Sequence, residues 1–82
     1  MVIKVLGPGC TACQETERVV RAAVDEAGCA ATVEKISDFK VMMALGVLST
    51  PAVVLDGSVV CSGRVPSRSE VLTWIATGAD RV

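Results

Sequence analysis

The chain has 82 residues and a net charge of −1, and its charged residues, 21% of the total, form no run of one sign. That bounds it to one small domain, predicted over 1–82, and argues against nucleic acid or a membrane surface as a partner. Hydrophobic residues reach 51% while Phe39 and Trp74 are the sole aromatics, so the core has to be built from Val, Leu, Ile, Ala and Met.

Val2-Ile3-Lys4-Val5-Leu6 reads as a buried strand, with Lys4 near an end or an edge. The opening Met1-Val2-Ile3-Lys4 carries no basic n-region and no cleavage signal, and no stretch nears the roughly 20 apolar residues that span a bilayer. These features predict a cytoplasmic chain, where structural disulfides are rare and a close cysteine pair is more often catalytic or metal-binding.

Gly7-Pro8-Gly9 then breaks the strand, and a helix is predicted from Cys10 or Thr11 to Ala27, stopped by Gly28. Thr16, Val19, Val20, Ala23, Val24 and Ala27 share its inward face, and Glu17 and Arg21 form a favourable i,i+4 pair outside. Cys10-Thr11-Ala12-Cys13 therefore stands where a strand has ended and a helix begins. The first amides of a helix lack intrahelical partners, and its dipole favours negative charge, so a thiolate there gains over the thiol. Cys10 and Cys13, about one turn apart, can close a disulfide. The stretch points to thiol–disulfide exchange.

Ala31 to Ile36 is the second strand, reached by a crossover that implies a parallel pair. Ser37-Asp38 caps a short helix from Phe39 to Leu45 with Met42 and Met43 as core filler, ended by Gly46. Pro51 opens a third strand, Ala52 to Leu55; Asp56-Gly57 is a two-residue hairpin turn into Ser58–Ser62, where Cys61 alternates with Val60. After a loop, Ser67 and Glu70 form a capping box for a last helix to about Thr77. Its apolar face is Val71, Leu72, Trp74 and Ile75; Gly78 ends it, and the remainder frays. The order is β-α-β-α-β-β-α, an α/β domain with helices on both faces.

Cys10-Thr11-Ala12-Cys13 at the mouth of the first helix, Thr50-Pro51 before a strand-turn-strand, and this order of elements closely resemble the thioredoxin fold. Gly7-Pro8-Gly9-Cys10, Thr50-Pro51-Ala52-Val53-Val54 and Ser62-Gly63-Arg64-Val65-Pro66-Ser67 are more similar still to the short, glutaredoxin-sized proteins called redox-active disulfide protein 2. With the crossover and the hairpin, the resemblance implies a four-stranded mixed sheet of order 2-1-3-4. It implies that Cys10 attacks and Cys13 resolves, that Pro51 is a cis-proline facing the pair, and that the Thr50 backbone pairs with an extended substrate segment. The chain departs from larger thioredoxins, with no Trp before Cys10 and Thr11-Ala12 in place of Gly-Pro. It departs from glutaredoxins in lacking Pro-Tyr between the cysteines and the glycine-rich glutathione signature.

The reading is a thiol–disulfide oxidoreductase that needs no cofactor, acting on a disulfide-containing protein or small thiol and recycled by a reductase. The competing class is a metal-binding or metallochaperone module using the same two cysteines. Zinc would need four ligands, and the chain has no His; Cys29 and Cys61 complete an all-cysteine set only outside the paired CxxC…CxxC spacing. Copper chaperone domains place CxxC similarly but end in a strand, whereas this chain ends in a capped helix. Cys29 and Cys61 are read as small core residues. Lys4 and Glu34 are read as surface charges rather than groups that tune the thiols, and Arg64 as a lone solvated charge rather than one that steers an acidic partner.

Overall fold

The computed structural model describes residues 1–28, 30–47 and 49–78. In chain order the elements are β1 (Val2–Leu6), α1 (Thr11–Ala27), β2 (Thr32–Ile36), α2 (Phe39–Ala44), β3 (Ala52–Leu55), β4 (Ser58–Ser62) and α3 (Arg68–Gly78). The strands form one mixed sheet in the order β2-β1-β3-β4, the expected topology. β1 runs parallel to β2, with Ile3 beside Val33, and antiparallel to β3, with Val5 beside Val53. β3 and β4 form the hairpin, turning at Asp56 and Gly57, both with positive φ (47° and 88°) as a mirror-image turn requires.

Alternation along the central strands splits the core in two. Ile3, Val5, Val53 and Leu55 face α1 and α3, where Val20, Ala23, Val71 and Ile75 close over them. Leu6, Ala52 and Val54 face the other way, under Met42 of α2 and Val47. Because both faces of β1 and β3 are covered, these strands read as nearly unbroken apolar runs. Lys4 is the exception and corrects its expected place: β1 is an interior strand, and Lys4 lies mid-sheet between Glu34 and Val54.

The helices also depart in detail. α1 buries Thr16, Val20 and Ala23, with Val19 and Val24 partly buried against the same core, but Ala27 is exposed in its last turn. The buried Thr16 hydroxyl is satisfied by donating to the Ala12 carbonyl at 2.8 Å. In α2, capped by Asp38 accepting from the Lys40 amide at 2.8 Å, Met42 is core but Met43 is 63% and Phe39 70% exposed. One turn and a half of helix offers a single inward position, so three crowded apolar residues cannot all go in. The β3–β4 register shifts between Val53 and Val54, which sets Val60 and Cys61 against the same core instead of alternating them. Cys61 is buried, as expected; the readings made for Cys29 and for the chain after Gly78 lie outside the described residues.

The capping box forms as read. Ser67 Oγ accepts from the Glu70 amide at 3.1 Å and a Glu70 carboxylate oxygen accepts from the Ser67 amide at 2.9 Å. Arg64, expected as a lone solvated charge, is exposed but not alone: it grips Glu70 with two guanidinium bonds of 2.8 and 2.6 Å. That bond makes the loop before α3 part of its cap and holds the Glu70 carboxyl at about 2.

Candidate active site

β1 ends at Leu6, and the amide of the next residue, Gly7, donates to the Ile36 carbonyl at 2.9 Å and ties the strand end to β2. Gly9, at φ 92°, then turns the chain in a way that suits glycine, and Cys10 follows as the N-cap of α1 with extended backbone. The Cys10 carbonyl accepts from the Gln14 amide at 3.0 Å, which begins the helix, while the Gln14 side chain donates to the Gly9 carbonyl at 3.3 Å. Cys10 is exposed at the turn; Cys13, in the first helical turn, is wholly buried. Their sulfurs lie 2.8 Å apart.

The two thiols are driven in opposite directions. A hydrogen bond from the Cys13 thiol, then the Cys13 backbone amide, pull Cys10 below an ordinary cysteine, with the Ala12 amide adding to them. Burial pushes Cys13 up, and its bond to the Cys10 sulfur pushes it further. Cys10 is therefore the more readily ionised of the two, and Cys13 the better donor of the hydrogen bond between them. The order of causes differs from what sequence suggests, because the neighbouring thiol outweighs the helix amides. Apart from the Cys10 sulfur acting on Cys13, no charged side chain is among the causes of either shift, so Lys4 and Glu34 leave the cysteines alone.

The Thr50–Pro51 peptide bond is cis. Pro51 is buried and its carbonyl accepts from the Gly63 amide at 2.8 Å, which pins the Ser62–Arg64 turn beside it; Thr50 is exposed. Thr50 borders Gly7 and Cys13 closely enough that a Cβ on Gly7 would sit 3.8 Å from its Cβ. Hence the fold draws Cys10, Cys13, Thr50 and Pro51 to one end of the sheet. Beside them runs an open cleft of about 220 Å³ lined by Pro8, Ser37, Phe39, Met42, Val47 and Thr50. Sequence reasoning missed this lining; its signal was the apolar crowding of a helix too short to bury all of Phe39, Met42 and Met43. Among the described residues, no group of three or more His, Cys, Asp or Glu side chains gathers as a four-ligand zinc site would require, and Cys61 belongs to the core under α1 and α3.

Residues 1–76 match a family model described as a thioredoxin domain. The chain is also similar to two archaeal proteins named thioredoxin. That of Methanothermobacter thermautotrophicus is 37% identical over 71 residues, covering 87% of this chain and 92% of that protein. That of Methanocaldococcus jannaschii is 37% identical over 71 residues, covering 87% of this chain and 81% of that protein.

Proposed function

The chain belongs to the thioredoxin domain family and is a thiol–disulfide oxidoreductase; from that premise we propose that Cys10 is its attacking cysteine and Cys13 its resolving one. The observation that carries this reading is the asymmetry of the pair: two sulfurs 2.8 Å apart, one exposed with its pKa lowered, the other buried with its pKa raised. The Cys10 thiolate attacks one sulfur of a substrate disulfide, forming a mixed disulfide and expelling the other sulfur as a thiolate. Cys13 then loses its proton and attacks Cys10 Sγ, closing the Cys10–Cys13 disulfide and releasing the second substrate thiol. Two electrons have passed from the dithiol to the substrate, and a reductase or a small thiol returns them.

Burial keeps Cys13 protonated and silent until Cys10 has been consumed. Once the mixed disulfide forms, the negative charge on Cys10 is gone and so is its upward push on Cys13. The exposed Thr50 backbone and the adjoining cleft would receive the chain that flanks the substrate disulfide, with Phe39 and Met42 against its apolar side chains. The same reading makes 1–82 one domain working in the cytoplasm, where a reducing pool keeps such a pair supplied with electrons.

Trapping tests the roles. Cys13→Ser should accumulate a mixed disulfide at Cys10, released by reductant and located by mass spectrometry, and Cys10→Ser should capture nothing. A Cys13→Ser chain that completes turnover, or an adduct found at Cys13 in Cys10→Ser, would overturn the assignment.

A further inference from the structure

Gly7 is buried at the end of β1, and it is not one of the glycines with a left-handed φ, so its backbone suits any residue. What it lacks is room. A Cβ built there would overlap Cys13 Sγ and stand 3.1 Å from Cys13 Cβ, while its distance to Thr50 Cβ, 3.8 Å, is an ordinary contact. We infer that Gly7 is a positioning residue for the second half of the exchange: its missing side chain is the slot that seats Cys13 Sγ beside Cys10 Sγ.

The inference rests on Cys13 being the resolving cysteine. Resolution requires Cys13 Sγ to approach Cys10 Sγ in line with the bond to the departing substrate sulfur. A bond forms between the two cysteine sulfurs as the Cys10–substrate bond breaks, the electron pair leaves with the substrate sulfur, and the proton given up by Cys13 reaches that thiolate through solvent. An added methyl at position 7 has one soft obstacle, because Cys13 Sγ hangs on a single torsion and can turn to another staggered well. That rotation removes the overlap with the sulfur, and the 3.1 Å approach to Cys13 Cβ is left to a shift of a few tenths of an ångström. It also swings the nucleophile away from Cys10, and a misplacement of about 1 Å can slow a positioned step by about 100-fold. The methyl stands no nearer to Cys10 than the 3.8 Å at which it meets Thr50, so the first step keeps its intrinsic rate.

Two signatures therefore travel together in Gly7→Ala. An aromatic disulfide that releases a coloured thiolate serves as the probe. The native chain should release one thiolate on attack by Cys10 and a second on resolution. At a pH where Cys10 is fully ionised, Gly7→Ala should release the first at the native rate and the second about 100-fold more slowly, with the adduct on Cys10. Losing the Cys13 hydrogen bond should also raise the pH midpoint of Cys10 alkylation, which a generally loosened fold would not do selectively. Cys13→Ser is the reference. If it too releases the second thiolate, the resolving role of Cys13 fails; if it stops after the first while Gly7→Ala proceeds at the native rate, the slot fails instead. Thermal unfolding decides the case in which Gly7→Ala folds poorly. The destabilisation by Gly7→Ala should shrink in a Cys13→Ala background, where the sulfur is absent, and an equal loss in both backgrounds would overturn the inference.

Discussion

On one face of the sheet α1 and α3 lie across Ile3, Val5, Val53 and Leu55, backed by Val19, Val24, Leu72 and Trp74; on the other, six-residue α2 alone crosses Leu6, Ala52 and Val54. The first face is closed. The second spends Met42 on the core and leaves Phe39, which lines the cleft, and Met43 in solvent. Folding free energy is thus concentrated where long helices meet the sheet, and apolar surface is left available where the short helix meets the thiols. Gly7 and Cys10 sit at the seam, on the loop that leads from the shared strand β1 into the helix of the closed face, and Cys13 stands in that helix's first turn.

Core truncation should give the largest effect. Ile3→Ala, at 1% exposure between α1 and α3, should cost about 2–4 kcal/mol, read from urea or thermal unfolding. Phe39→Ser, at 70% exposure, should stay within about 0.5 kcal/mol of the native chain. The second substitution should instead raise KM for a protein disulfide while leaving exchange with a small disulfide unchanged. Equal stability losses for the two would abolish the distinction between the faces, and an unchanged KM would remove the cleft from substrate binding.

How much of this was legible in sequence follows the same division. The closed face announces itself: α1 repeats apolar residues at helical spacing, Gly28 ends it with φ 64°, and Ser67 and Glu70 cap α3 reciprocally. The strands and their order were legible because both faces of β1 and β3 are apolar and the turns between them are specific. The open face was not legible. Periodicity cannot say which of Phe39, Met42 and Met43 a turn and a half of helix will bury, and the bulge opposite Val53 is set by pairing rather than by local preference. At the site, Cys10, Cys13, Thr50 and Pro51 were nameable from motif and resemblance. The bidentate grip of Arg64 on Glu70 was not, since the loop bringing them together has no periodic pattern.

The seam offers a test of what lowers the Cys10 pKa. The strongest cause is the hydrogen bond from the Cys13 thiol, with the helix amides behind it. Cys13→Ala removes the donor and should move the pH midpoint of Cys10 alkylation upward, still short of an ordinary thiol because the amides remain. Cys13→Ser keeps a hydroxyl donor and should move it less. Were the two variants indistinguishable from the native chain, the helix terminus alone would set the thiolate, and the asymmetry of the pair would no longer depend on contact between the sulfurs.

The smallest expected effect lies in the cap of α3, where Arg64 and the Ser67 amide hold Glu70 at the start of the helix. The ion pair is exposed, so its contribution at neutral pH is small and screened by salt. Its signature is the shape of the acid limb. Glu70 has its folded pKa depressed from an ordinary value near 4.5 to about 2, chiefly by the Arg64 guanidinium. A depressed carboxylate contributes stability that is present above the unfolded pKa and is lost as pH falls through the folded one. Glu70→Gln keeps an acceptor for the Ser67 amide but carries no charge for Arg64. It should unfold at a slightly lower temperature than the native chain at about pH 6, and the gap should close steadily between about pH 4.5 and about pH 2. High salt should narrow the gap at about pH 6 as well. A gap that persists undiminished at about pH 2 would mean that Glu70 acts through its cap geometry and not through its charge.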